Sequence, residues 1–178
     1  MTSASEEHVI IVDADDNPIG TAEKLAAHRA GSLHRAFSVV IWNNTGGLLL
    51  QKRHAGKYHS GGLWTNACCG HPRPGEDVHA AALRRLDEEM GFTCSLTALG
   101  TITYRAEFSN GLTEHEIVHV FRGIYAGTIR PNPDEADGYE WAELAEVRRR
   151  VAAAPESYSV WFREYIAAQW PMMLDAPS

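Results

Sequence analysis

The sequence predicts an α+β fold, a mixed β-sheet sandwich flanked by helices, and three observations carry that expectation. Short β-branched or aromatic runs bounded by Asn, Asp, Gly and Pro recur along most of the chain, as half-buried strands and their turns do. One segment, 77–90, repeats an apolar residue every four positions, the mark of an amphipathic helix. The remaining helical segments are interspersed among the strands without repeats, low-complexity tracts or linkers. A single domain over 1–178 is therefore expected, with 1–7 a flexible N-terminus.

In chain order, His8 to Val12 is a β-branched run stopped by Asp15-Asp16-Asn17-Pro18. Gly20 to Arg29 reads as a helix, with Leu25-Ala26-Ala27 inside and Gly31 as its stop. Phe37 to Trp42 and Leu48 to Lys52 bracket Asn43-Asn44-Thr45-Gly46-Gly47, a hairpin signal. Gly56 to Pro74 has many Gly, His and Pro residues and no sustained period, so it reads as a loop, where sites tend to sit. Within 77–90, Val78, Ala82, Leu86 and Met90 should face the core, while Arg85 and Glu89 share another face. Leu99 to Phe108 and Thr113 to Tyr125 are strands around Ser109-Asn110-Gly111. A turn and short strand follow over Asn132 to Trp141, then a helix over Ala142 to Ala153. Pro155 parts it from a last helix starting near Ser159.

Of 178 residues, 44% are hydrophobic and 22% charged, ordinary for a soluble globular chain able to bury a core. Sixteen basic against 23 acidic residues give a net charge of −7, which argues against broad nucleic-acid binding. An anion would need a local basic pocket or a metal. Three cysteines, two of them adjacent, suit a reducing cytosol rather than a disulfide framework. Met1 to Glu7 is unlike a signal peptide, and no apolar run approaches the roughly 20 residues that span a bilayer. A cytoplasmic location with no membrane contact is expected.

The chemistry concentrates in Thr65-Asn66-Ala67-Cys68-Cys69-Gly70-His71-Pro72 and the helix it leads into, which carries Glu88 and Glu89. Cys69 lies between polar residues and Gly70-His71, where adjacent positive charge would tune a thiol from about 8.5 toward neutrality. Cys68 and Cys94 read as packing residues. His28, His34, His71, Glu114 and Glu116 are candidate metal ligands, a nitrogen and oxygen set that suits Zn²⁺, Mn²⁺ or Fe²⁺. Glu114 and Glu116 are two apart on a strand and so leave the same face, which is costly unless a cation or shared proton relieves the repulsion. His115 between them should then point away. Glu88 and Glu89 suit Mg²⁺ carrying phosphate oxygens. Each feature alone has a plainer reading: a solvent-facing strand edge, a surface or core histidine, or helix carboxylates paired with Arg84 and Arg85 at about 0.2–0.5 kcal/mol each.

The longer spacing is harder to dismiss. Gly70-x5-Glu76-x7-Arg84-Arg85-Leu86-Asp87-Glu88-Glu89-Met90-Gly91-Phe92 resembles the Nudix signature at every defined position but one, Arg85 standing where that signature has Glu. Adding Cys69-Gly70-His71-Pro72, Glu114-His115-Glu116, Leu33-His34-x-Ala36-Phe37-Ser38, Tyr104-Arg105-Ala106 and Ser159-Val160-Trp161, the chain is similar over nearly its whole length to the type I isopentenyl-diphosphate delta-isomerases. The fold implied is Nudix-like.

That resemblance implies flavin-independent interconversion of isopentenyl and dimethylallyl diphosphate, a step of isoprene biosynthesis on a small prenyl diphosphate substrate. It implies that Cys69 is the catalytic thiol and that Glu116 is its acid/base partner across the substrate, assisted by a hydrogen-bonded Tyr104. His28, His34, His71, Glu114 and Glu116 would surround one divalent metal (Mn²⁺, Zn²⁺ or Mg²⁺). Glu89 would help hold Mg²⁺ arriving with the diphosphate, which Lys24, Arg53, Lys57 and Arg85 would contact, and Trp161 would be an aromatic lid. Arg85 removes a helix carboxylate and adds a phosphate clamp, which favours an isomerase over the alternative, a Nudix-type diphosphate hydrolase. A non-catalytic metal- or phosphate-binding module is a second alternative. Cys68 and His119 receive no role, and the oligomeric state stays open.

Overall fold

A computed structural model describes residues 7–167, which form nine strands and four α-helices. The first hairpin, β1 (His8–Val12) and β2 (Pro18–Glu23), turns where the Asp13 carboxylate accepts from the backbone N–H groups of Asp15 and Asn17. β2 corrects the expected helix over Gly20 to Arg29: its first half pairs with β1, from Thr21 on Ile10 to Glu23 on His8. Helix α1 (Lys24–Ala30) starts only where the Glu23 carboxylate accepts from Leu25 and Ala26 N–H. The strand was hidden because its face is largely exposed and carries no apolar alternation.

Strand β3 (His34–Trp42) is the axis of the sheet. It pairs antiparallel with β1, with β4 (Gly47–Arg53), and with β6 (Cys68–Gly70), and parallel with β8 (Thr113–Ile124) from His34↔Glu116 to Trp42↔Ile124. β7 (Leu96–Glu107) lies antiparallel on β8, while β5 (Trp64–Thr65) and β9 (Ala136–Glu143) both pair with β4. β5 and β6 correct the loop expected over Gly56 to Pro74, so Cys69 sits in a strand. At two and three residues, neither is long enough to show a period.

Alternation along β3 divides the core. Ala36, Val40 and Trp42 face one way, with Ser38 between them, and Phe37, Val39 and Ile41 face the other. On the second face lies α2 (Val78–Met90), capped by the Asp77 side chain on Ala80 N–H and ended by Gly91 at φ 71°. Ala82, Leu86 and Met90 are fully buried there as the four-residue period requires, with Ala81 beside them and Val78 half-buried. On the first face lie α3 (Leu144–Ala153) and α4 (Val160–Ile166), which contribute Val147, Trp161, Phe162 and Tyr165. A 3₁₀ turn over Pro155–Ser157 joins them.

Two signature glycines have steric reasons. A Cβ on Gly70 would stand 2.8 Å from Phe37 Cζ, and one on Gly91 would stand 2.4 Å from the Arg130 carbonyl oxygen, on top of the positive φ. The flexible segment expected over 1–7 lies outside the described residues except for Glu7, whose carboxylate meets Lys24 Nζ at 2.7 Å. No described helix is long and apolar enough to cross a membrane.

Candidate active site

A cleft of about 680 Å³ opens between the α1 end of the sheet, the loop after β4 and the side of α2. All the expected site residues line it except His28, His34 and Tyr104, which are buried beneath its wall. Cys69 and Glu116 share this one cavity.

Alternation sends the adjacent cysteines to opposite sides: Cys69 packs against the α4-side core and Cys68 is buried on the α2 side. Cys69 Sγ lies 3.3 Å from both Asn66 Oδ1 and Ser38 Oγ. Ser38 Oγ already accepts from Asn66 Nδ2 at 2.9 Å and from the Tyr165 hydroxyl at 3.0 Å, so its own proton is left for the sulfur. The thiol proton in turn meets Asn66 Oδ1. The expected lowering of the thiol is not found. Burial pushes Cys69 up to about 12, outweighing the Ser38 and Asn66 hydrogen bonds and the Arg53 charge that oppose it. Ser38 and Asn66 are functional neighbours that the sequence did not single out, although Asn66 stands inside the signature.

At the end of β3, histidine nitrogens and a carboxylate converge. His71 Nε2 stands 2.9 Å and His34 Nε2 3.4 Å from the same Glu116 oxygen, and the two nitrogens are 3.2 Å apart. His34 Nδ1–H donates to Ser32 O and His28 Nδ1–H to Lys24 O, so backbone carbonyls fix both rings and turn Nε2 inward. His28 Nε2 is buried without a hydrogen-bond partner among the described residues. Donor atoms of His28, His34, His71 and Glu116 all fall within 4.8 Å of one another. An orphaned buried lone pair among converging imidazoles and a carboxylate fits a divalent cation.

The charge states agree with that crowding. Burial lowers His28 to about 4 and His71 to about 3. Burial alone would raise Glu116, but hydrogen bonds from His34 and His71 hold it well below the usual carboxylate range. Burial and the Glu116 charge raise Glu114.

Glu114 falls in a second set of converging donors, with His28 and His59, and His28 is common to both sets. His59, which sequence reasoning passed over, meets Glu114 Oε1 through Nε2 at 3.0 Å. The expected Tyr104–Glu116 hydrogen bond is not found: the two are register partners on β7 and β8, yet the buried Tyr104 hydroxyl has no hydrogen-bond partner among the described residues. His115 points away as expected, to Gly31 O, and His119 pairs with Asp16 at 2.7 Å.

The residues expected to meet a diphosphate ring the mouth, mostly occupied by carboxylates. Lys24 pairs with Glu7, Lys57 with Glu135, and Arg85 with Glu88 at 2.8 Å, Glu89 at 2.5 Å and Glu135 at 3.3 Å. Glu89 is buried, accepts from Gln51 Nε2 at 2.9 Å, and belongs to neither set of converging donors. Arg53 lies 5.2 Å over the Trp161 ring, and Trp161 closes one side of the cavity.

A mixed sheet with this helix and cleft defines a class: the chain belongs to the NUDIX domain family, whose model matches residues 32–163. Solved structures agree on the fold, among them a MutT protein from Methanosarcina mazei Go1 (TM-score 0.62, 21% identity, 76% of this chain and 91% of that one). A MutT NUDIX hydrolase from Burkholderia pseudomallei gives TM-score 0.61 at 22% identity over 77% and 98%.

Sequence relatives are more specific. An isopentenyl-diphosphate Delta-isomerase of Burkholderia multivorans is 49% identical over 88% of this chain and 89% of its own. One of Aromatoleum aromaticum is 51% identical over 88% and 82%, and one of Photorhabdus laumondii subsp. laumondii 50% over 90% and 91%. Within the NUDIX class, the chain belongs to the isopentenyl-diphosphate Delta-isomerase family.

Proposed function

We propose that the chain interconverts isopentenyl diphosphate and dimethylallyl diphosphate in the cytoplasm, with Cys69 and Glu116 exchanging protons with the alkene. The observation that carries this reading is the shared cavity, with a buried thiol on one side and a histidine-held carboxylate on the other. Shifting an unactivated double bond requires a proton added at one carbon and another removed two carbons away, through a tertiary carbocation that water would quench.

One of the two groups gives a proton to the alkene terminus while the other takes one from the carbon two positions away. The opposite direction exchanges these roles, and no redox change occurs. Trp161 offers a ring face to the cation, worth about 2 kcal/mol where water is excluded. Tyr104, the register partner of Glu116, whose hydroxyl has no hydrogen-bond partner among the described residues, assists proton exchange there.

His28, His34, His71 and Glu116, with Glu114 adjoining, would hold one divalent metal, which when bound supplies positive charge that fixes the carboxylates. Glu89 would hold Mg²⁺ brought by the diphosphate. Lys24, Arg53, Lys57 and Arg85 would meet the phosphate oxygens, exchanging their present carboxylate partners for the ligand. Arg85 in place of a metal-binding carboxylate suits holding the diphosphate intact rather than activating water on it.

The test is isopentenyl diphosphate in D₂O with Mg²⁺, followed by NMR. Deuterium should enter the allylic product. Phosphate release without deuterium uptake would refute the isomerase and leave a hydrolase.

A further inference from the structure

The two overlapping donor sets pose a question that the isomerase reading leaves open, namely what holds Glu114. Its neighbour two residues on, Glu116, is gripped by two histidines, whereas Glu114 Oε1 faces His59 Nε2 at 3.0 Å in a buried pair. His59 comes from the loop between β4 and β5, and that loop is bolted in place. Asn110 Nδ2 from the β7–β8 turn donates to Tyr58 O at 3.1 Å, and Arg53 Nη2 donates to His59 O at 3.3 Å.

Ser60 adopts φ 53°, a region a non-glycine residue rarely holds unless its surroundings enforce it. A Cβ on Gly61 would stand 2.4 Å from the Ala55 carbonyl oxygen, so the chain passes itself at contact distance. The imidazole is fixed just as firmly. It stacks on Phe108 at 4.9 Å and 20°, and meets Trp161 edge-on at 5.9 Å and 90°.

We propose that His59 is a positioning residue of the metal centre, donating Nε2–H to Glu114 so that the other carboxylate oxygen is presented to the cation. A ligating carboxylate commonly needs such an outer hydrogen bond to hold its orientation. The same ring touches Trp161, so one rigid plate sets both the cation's carboxylate and the wall of the hydrocarbon end. This rests on the cation reading of the histidine cluster given above.

The experiment measures Mn²⁺ and Zn²⁺ affinity of the whole chain by chelator competition, with no substrate present. His59→Phe keeps an aromatic plate and loses the donor, and should weaken binding about 10–100-fold. His59→Gln restores a donor at similar reach and should bind within about three-fold of the parent. On a Glu114→Gln background, His59→Phe should add nothing further, since the partner is already changed. If His59→Phe fails to fold, His59→Asn, too short to reach Glu114, replaces it with the same expectation.

Equal losses for the Phe and Gln variants would mean that the ring matters only for packing and would overturn the proposal. So would unchanged affinity in His59→Phe. A parent chain that binds neither cation would overturn the metal reading together with this inference, which separates the two failures.

Discussion

The two faces of the central sheet are made from the same strands, yet they are finished to different standards. Toward α2, apolar residues fill the space, and the buried amide of Gln51 is satisfied by Glu89 and the Ala67 carbonyl. Toward α4 and the cleft, polar atoms of His28, Trp42, Arg53, Tyr104, Trp161 and Arg163 are buried without hydrogen-bond partners among the described residues. Leaving a buried polar group unmatched costs about 1–3 kcal/mol. Such a cost concentrated on one face marks where a ligand completes the structure, and the other face is the scaffold that tolerates it.

The strongest way to break this contrast is to remove the reacting groups. Cys69→Ala and Glu116→Gln should each lower turnover by about 10²–10⁴-fold while substrate binding survives. Deuterium uptake and a binding isotherm measure both, and turnover within a few-fold of the parent would refute the assignment. On the helix side of the cleft, Glu89→Gln should raise the Mg²⁺ needed for half-maximal activity by about ten-fold. An unchanged titration would remove Glu89 from the magnesium role.

Acid should expose the same asymmetry. His28 and His71 have folded-state values lowered from 6.5 to about 4 and about 3, so the unfolded chain binds more protons below pH 6.5. The stability of chelator-treated protein should therefore fall as pH drops from 6.5 toward 4, and the lowered Glu116 adds to the loss further down. His34, raised by Glu116 despite its burial, acts in the other sense and loses its contribution as pH rises. Urea midpoints at pH 7 and pH 5 provide the check; equal values would contradict it. The smallest effect belongs to the scaffold face. Cys68→Ala should cost about 1 kcal/mol of stability and leave turnover within about two-fold of the parent.

How much of this could be read beforehand depended on signal length. α2 showed itself because thirteen residues repeat a period, and its carboxylates and glycines keep fixed spacing. The Glu114–Glu116 pair was legible because two residues on one strand share a face. β2, β5 and β6 were not: one is exposed, and the others are too short to alternate. His59 escaped because its partner lies 55 positions on and no motif links them, although the aromatic pair Tyr58-His59 ahead of Ser60-Gly61-Gly62 was a hint. The burial that decides the thiol's protonation comes from tertiary packing, which neighbours in sequence do not reveal.

Three rungs between β3 and β6 decide which of two identical side chains meets the alkene: Phe37 opposite Gly70, Ser38 opposite Cys69, and Val39 opposite Cys68. Sliding that ladder by one position would present the wrong sulfur to the cleft and bury the right one under α2. It would also force a side chain against the Phe37 ring, where only glycine fits. Gly70 is thus the index mark that makes neighbouring, chemically equal thiols unequal, a selection by alignment rather than by reactivity.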